Sequence, residues 1–470
     1  MLDINKKSYT HKYVVGKSGV FTDVNNMHNQ AKSSDFFRAL SGYTHKYEVG
    51  GYGLFTPFLN MFNKQALSNA LNSSRIIASR AAATDLGKTA IDAAKSAGKE
   101  LATSAISTAK EIVINKGEIR IFIENSDSLF HPHESYLKIE GRLVKADRTS
   151  YANTDAITLA HNGLMPLFDR IEYKFYDSVV ESVSFPGKAT TMLGIQQFII
   201  QKPTTKGSFE LNIPLRHIFK FCDDYEKVFY GLKHELYMLR ASDNNAIFRD
   251  AGVAAGRVDT TRISLMMRRA TPSVVADLEL AKIIKSHETL DIGFRSRFLD
   301  RINVPQNTTF TWPLGIRTTE KPRFILVGFQ TNREGNQEQN ASIFDHCDLK
   351  NMYIELNEER YPATNYNLSF PNMKFTRAYR HVSNFAEDYY NMSNLISLCG
   401  ITPSDYKDLY PIMYFDVSKQ SEKMKDSTVD ITLKAEFNTP VPANTIIFAL
   451  IISDRIAKIT SNGNKLRFEY

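Results

Sequence analysis

Tryptophan occurs once in these 470 residues and cysteine three times, at Cys222, Cys347 and Cys399. An odd number of distant cysteines argues against a disulfide framework. It fits thiols used as small apolar side chains in a reducing compartment. No stretch approaches the run of about 18 apolar residues that a spanning helix needs. The opening MLDINKKSYTHKY has no apolar core of the kind a secretory leader carries, so the protein is expected not to be secreted. The sequons at Asn307, Asn340, Asn367 and Asn391 then carry no weight. Phosphate-binding chemistry is also missing, because Gly252 and Gly256 do not have the spacing of a cradle loop after a strand.

What is present is aromatic and unevenly charged. Thirty Phe and 22 Tyr favour strands. The formal charge is +7, and residues 1–116 hold 15 Lys and Arg against 8 Asp and Glu, while the remaining chain is balanced at 43 of each. A neutral body with a basic arm points to something anionic, either nucleic acid or a lipid surface; the bland reading is a solvated tail.

The arm is internally repetitive. Tyr9-Thr10-His11-Lys12-Tyr13, with Val15-Gly16, Gly19 and Phe21-Thr22 after it, recurs 34 residues later. The second copy is Tyr43-Thr44-His45-Lys46-Tyr47, with Val49-Gly50, Gly53 and Phe55-Thr56. Two copies are too few to stack as a solenoid. They read as two peptide ligands on one strand, with Tyr9, His11, Tyr13, Tyr43, His45 and Tyr47 as the partner-binding residues. The alternative is a duplication without a role, which termini tolerate. An eleven-residue repeat follows: Leu86-Gly87-Lys88, Ala97-Gly98-Lys99 and Thr108-Ala109-Lys110, with Ile91, Ala102 and Val113 keeping the step. Eleven residues make three helical turns, so an amphipathic helix is expected. Its lysines, Lys88, Lys95, Lys99 and Lys110, are the candidates for contact with an anionic surface. Its small apolar stripe suits packing against a partner helix better than membrane insertion; only Phe55–Phe62 has membrane-active bulk.

From Gly117 the rhythm becomes that of strands. Ser208–Ser242 shows the style of the whole body. Phe209, Leu211 and Ile213 alternate with polar residues and Pro214 ends the run. Leu215, Ile218, Phe219, Cys222, Tyr225, Val228 and Phe229 recur at helical steps, and Leu236 and Met238 resume the alternation. Further strands are expected at Ile119–Ile123, Tyr136–Leu143, Ile171–Phe175, Val179–Phe185, Ile195–Gln201 and Glu288–Phe298. A polar linker spans Asp147–Gly163, and Val274–Lys285 reads as helical. The second half repeats the pattern with strands at Thr308–Trp312, Arg323–Gln330, Met352–Leu356, Ile412–Val417, Val429–Phe437 and Ile446–Ser453. Arg377–Met392 reads as a covering helix, and Thr402-Pro403-Ser404-Asp405 as an N-cap with proline in the first turn. Short strands set off by turn signals mark packed sandwiches. The fold class is therefore all-β with helical excursions, built as two sandwiches. The arm is 1–116, and the halves are 117–302 and 303–470 with the joint near Arg301–Pro305.

Catalytic patterns are thin. His131-Pro132-His133-Glu134 is the one cluster with metal-ligand chemistry, and a hydrolase would use it; but no cysteine or helical His pair supports it, so neither metal nor cofactor is expected. Asp345-His346-Cys347-Asp348 can be drawn as a Cys/His pair, yet neighbours on a strand point to opposite faces. Met266-Met267 and Arg268-Arg269 read as a core edge and a solvated face. No small-molecule substrate is indicated, and the chain is not expected to be an enzyme.

The runs IPLRHIF, ASDNNAIFRDAGV, VPQNTTFTWPL, FILVGFQT, YPATNYNLSFP, LCGITPSDYKDLYP, FDVSKQSEK and IISDR, spread from Glu118 to Phe468, resemble the capsid-like proteins of Maverick/Polinton elements and the related adintoviruses, including relatives integrated in animal genomes. The resemblance implies a double jelly roll, two tandem eight-stranded jelly rolls preceded by an extended or helical arm. It implies a hexon-like major capsid protein that trimerises and tiles an icosahedral shell in the virion of a DNA virus, assembled inside the host cell in nucleus or cytoplasm. Its partners would be itself, penton and minor capsid proteins, and, without sequence preference, genome DNA or an inner membrane. The Ala/Lys-rich stretch resembles small cement or membrane-active capsid proteins instead. That keeps a second reading open: a nucleic-acid-binding or membrane-active minor capsid protein that works through its arm, where Tyr9, Tyr13, Tyr43 and Tyr47 lie beside lysines.

Overall fold

The alternation at Ile119, Ile121 and Ile123 becomes the strand Glu118–Ile123, with the three isoleucines buried and Arg120 exposed. The computed structural model describes residues 13–15, 21–23, 106–108, 111–115 and, from 117 onward, all but 124–128, 161, 163, 196–199, 202–206, 271–277, 279–281, 283–288, 316–319, 392–400, 421–428, 463–464 and 470. The chain divides into two units, Met1–Asn60 and Met61–Tyr470. In the first, Tyr13–Val15 and Phe21–Asp23 form an antiparallel hairpin.

The second unit is built on four large antiparallel sheets. Sheet I runs in the order Ile200–Gln201, Ser208–Pro214, Leu129–Lys145, Gly256–Ala270, Ile106–Thr108, with Phe229–Tyr230 also on Leu129–Lys145. Sheet II runs Glu111–Asn115, Glu118–Ile123, His234–Arg240, Phe168–Phe175, Ser178–Ser184. Sheet III runs Leu290–Val304, Thr445–Asn462, Lys321–Thr331, Met413–Asp416, with Lys465–Glu469 also on Thr445–Asn462. Sheet IV runs Thr309–Pro313, Ile431–Phe437, Leu349–Leu356, Glu359–Tyr361. Neighbours in these sheets are mostly distant in sequence: Leu290–Val304 pairs residue for residue with the chain's penultimate strand, Leu290 against Ile459 and Val304 against Thr445. Such long returns are Greek-key connections.

Sheets I and II face each other across aromatic side chains. Phe130 of sheet I meets His234 of sheet II at 5.1 Å between ring centroids, and Phe229 meets Phe175 at 4.9 Å. Between sheets III and IV, Phe329 meets Phe437 at 5.5 Å. Five α-helices are used below: α1 Pro186–Met192, α2 Leu215–Ile218, α3 Lys220–Asp224, α4 Thr376–Tyr390 and α5 Pro403–Asp408. Helix α4 buries Ala378, Val382, Phe385 and Tyr389 as a stripe and stops at Asn391 in the left-handed region (φ 57°). The cap of α5 forms as its sequence predicts: Thr402 Oγ1 accepts from Asp405 N at 3.1 Å and donates to the Asp405 carboxylate at 2.8 Å.

Two expectations are corrected. The helix expected from Leu215 to Phe229 is two short ones, because Phe219 between them is extended (φ −110°, ψ 124°) and Phe229 enters a strand. The helix repeat does not continue through Val113. Ile106–Thr108 and Glu111–Asn115 are strands on sheets I and II, where β-branched Ile106, Thr108, Ile112, Val113 and Ile114 suit a pleated ladder. Met267 is buried and Arg268 exposed, as the reading of a core edge and a solvated face expects; the stretch is part of the long strand Gly256–Ala270, which two register shifts, at Thr260/Arg262 and Met266/Arg268, hide from the alternation. Of the helix expected at 274–285, Leu278 and Lys282 are helical and the rest lies outside the described residues.

Candidate functional site at the join of the sheet pairs

Sheet II and sheet III meet where Ser178–Ser184 and α3 lie against Leu290–Val304, whose Arg297 bonds the end of α2. The pairing of Phe168–Phe175 with Ser178–Ser184 slips between Tyr173 and Lys174, and the neighbours Val180 and Glu181 are both buried as a result. A bulge of this kind re-aims a side chain. It turns Glu181 inward, 1% exposed, where its Oε2 accepts the Phe221 N–H of α3 at 2.8 Å. The first N–H groups of a helix have no acceptor of their own, so the carboxylate acts as an external cap.

From the other side come two arginines. Arg297, 4% exposed, donates through Nη1 to the carbonyls of His217 (3.1 Å) and Ile218 (2.9 Å) and through Nε to Tyr389 Oη (3.1 Å). Those carbonyls end α2, and the extended Phe219 leaves them without helical donors; the break in the helix and the arginine account for each other. Arg295 grips Asp224 with Nε at 3.0 Å, Nη2 at 2.6 Å and its backbone N–H at 2.9 Å, and Lys220 Nζ reaches the same carboxylate at 3.1 Å. Burial alone would raise Asp224, but the bonds from Arg295 and the Lys220 charge reverse this and hold it below the usual carboxylate range. Glu181 goes the other way. Burial pushes it up to about 7, against the pull of Arg297 and the N–H groups of Phe221 and Lys220, and Asp224 adds to the rise. The Tyr389 ring lies under both Lys220 (4.8 Å) and Arg295 (5.0 Å).

Two further groups of contacts widen the join. Lys188 of α1 is buried with Nζ 2.5 Å from Gln330 Oε1 and 2.6 Å from the Ala341 carbonyl. Burial brings its amine down to about 7; Arg301 and Arg333 push the same way and Glu334 opposes. Buried Gln337 is held at both ends of its amide by Gly256, as acceptor from N and donor to O at 2.8 Å each, and Arg249 pairs with Glu338 at 2.9 Å.

The clusters singled out from sequence are spent on structure. His131 Nε2 faces the Glu226 carbonyl at 3.2 Å, His133 Nδ1 faces the Cys222 carbonyl at 2.9 Å, and Glu134 is bonded by Arg268. Among the described residues no three of His, Cys, Asp and Glu gather as metal donors. Asp345 is paired with Arg333 at 2.7 Å, and His346 stacks on Phe370 and accepts the Asp348 N–H at 2.8 Å. Burial pushes the Cys347 thiol up to about 12, away from thiolate chemistry. Tyr13 begins the hairpin strand Tyr13–Val15; Tyr9, His11, Tyr43, His45, Tyr47, Lys88, Lys95, Lys99 and Lys110 lie outside the described residues. No helix among the described residues is long and apolar enough to cross a membrane. The residues that make the join, Glu181, Lys188, Asp224, Arg295 and Arg297, were not singled out from sequence. The available signal was Arg295 and Arg297 set two apart between the aromatic Phe294 and Phe298.

The double jelly roll-like domain family matches residues 166–457, well over half of the chain. This chain belongs to that family. The double jelly roll it names is the all-β architecture of paired antiparallel sheets described above. A search of curated proteins finds no match. Among solved structures, the double jelly roll is similar to PBCV-1 VP54 fitted into a reconstruction of the virophage Sputnik (9% identity, TM-score 0.48, covering 78% of this chain and 96% of that one). It is similar to the mavirus major capsid protein (11%, 0.44, 78% and 90%) and to the Faustovirus major capsid protein (8%, 0.47, 76% and 90%).

Proposed function

We propose that the double jelly roll is a major capsid protein that self-assembles as pseudo-hexameric trimers into an icosahedral shell. The observation that carries the reading is the join: two sandwiches are locked to each other within one chain by the part-buried Arg295–Asp224 ion pair and by buried Arg297, which bonds the carbonyls at the end of α2. A subunit that presents two similar sandwiches in a fixed relation offers two near-equivalent corners, so three copies about a closed axis make a six-cornered tile. The strand Leu290–Val304, which spans the 302/303 boundary expected from sequence, pairs along its length inside sheet III. The partners of the tile are further copies of itself, with penton and minor capsid proteins at vertices and edges. The protein resides in the virion after assembly inside the host cell.

The basic arm belongs on the inner face of such a shell, its YTHKY copies gripping neighbours and its lysines meeting genome phosphates or an inner membrane by counterion release. The charge asymmetry of residues 1–116 favours this contact, and it is also what a minor capsid or nucleic-acid-binding protein would use. Light scattering and negative-stain microscopy of the purified chain decide between the readings. Trimers with a six-cornered outline, or closed shells, are expected. A monomer that retards DNA with a steep loss of affinity in salt would replace the shell reading by the second.

A further inference from the structure

We propose that the join is a proton-operated latch whose tongue is the Glu181 side chain: with a proton bound the sheet pairs hold together around α2 and α3, and with the proton lost the contact loosens. A register slip spends a ladder position to turn a carboxyl group inward where α3 and Leu290–Val304 meet the Ser178–Ser184 strand of sheet II. An ionised carboxylate has about four acceptor sites to satisfy. Here Oε2 takes the Phe221 N–H, and Oε1 receives no hydrogen bond among the described residues.

The groups facing Glu181 do not make up the shortfall. From Leu290–Val304 comes the Arg297 guanidinium, with Nη1 and Nε directed at the ends of α2 and α4. From α3 come the N–H groups of Lys220 and Phe221, the buried Cys222 thiol and the Asp224 carboxylate, and Asp224 is repulsive. The Lys220 amine faces Asp223 and Asp224. On the adjacent strand the residue opposite is Tyr173, whose hydroxyl is 2.6 Å from His234 Nδ1. A neutral carboxyl group is content in this setting and a carboxylate is under-solvated, which is why burial lifts the group to about 7.

A carboxyl group raised in the closed state contributes stability that is full below its ordinary value and lost as pH rises through 7. Because Glu181 is 1% exposed, the carboxylate can reach water only if α2 and α3 lift from Leu290–Val304. For an opening that frees Glu181 alone, the equilibrium should rise about tenfold between pH 6 and pH 8. Lys188, on α1 against Gln330 and Ala341, titrates over the same window in the opposite sense, so an opening that frees both groups shows little net change.

Hydrogen exchange on the full chain tests this at pH 6, 7 and 8, after division by the intrinsic rate at each pH, with residues 215–224 as the reporter. In Lys188→Met the opening of that segment should increase about tenfold from pH 6 to pH 8. In Lys188→Met with Glu181→Gln it should not change. A flat Lys188→Met profile, or an equal rise in the double variant, overturns the latch. Infrared spectroscopy of the unaltered protein gives a check independent of variants: a buried protonated carboxyl band at pH 6 that fades by pH 8 is required, and a spectrum with no such band at pH 6 overturns the proposal as well.

Discussion

His234 shows what a single side chain contributes here. Its ring is wholly buried among Phe130, Phe175, Phe229 and Tyr173; Nδ1 meets the Tyr173 hydroxyl at 2.6 Å, and Nε2 has no partner among the described residues. Burial lowers its pKa to about 3. The unfolded chain takes up a proton below about 6.5 and the folded chain does not, so this histidine's contribution is full above that value and lost as pH falls toward 3. Denaturant unfolding should show a loss of about 2 kcal/mol from this group between pH 7 and pH 5. His234→Phe should unfold with a correspondingly smaller difference between the two pH values; an unchanged difference assigns the acid sensitivity elsewhere. The position was not legible from sequence, because a histidine opening a strand, as His234 does before Leu236 and Met238, reads as a polar boundary.

At the scale of elements, alternation carried most of the fold. Glu118–Ile123, Ser208–Pro214, Ile431–Phe437 and the helices α4 and α5 stand close to where period and capping residues put them. What alternation hid were strands with bulges, such as Gly256–Ala270, and the inward-facing charges of the join. A buried arginine reads from sequence as an exposed one, since only the partner across the join distinguishes them. That partner is distant: Arg295 and Asp224 lie 71 positions apart. Replacing Asp224 by Ala leaves half-buried Arg295 without its carboxylate and buried Lys220 with Asp223 alone, and should cost about 3 kcal/mol by chemical denaturation. Replacing Asp224, Arg295 and Lys220 together by Leu, Met and Met should recover much of that loss, because apolar side chains of similar size need no counter-charge. A triple variant weaker than Asp224→Ala would show that the ion pairs themselves hold the halves together.

For the whole molecule, the consequential boundary is the one between arm and body. Ile106–Thr108 pairs with Met266–Arg268 in sheet I, and, after two intervening residues, Glu111–Asn115 pairs with Glu118–Phe122 in sheet II. Residues assigned to the arm by charge are structurally part of the sandwich. A chain beginning at residue 105 should therefore melt like the full protein in calorimetry, whereas one beginning at 117 should melt several degrees lower, about what losing 1–2 kcal/mol does to a domain this large. Equal melting of the two truncations would mean that the short strands add nothing.

The same stitching gives the arm a mechanical meaning. A pull on the residues before 106 loads Ile106–Thr108 at the rim of one sheet first and reaches Glu111–Asn115, at the rim of the opposed sheet, only once that pairing has given way. The tether is double-sewn, and detaching it would require undoing a seam on each side of the cloth.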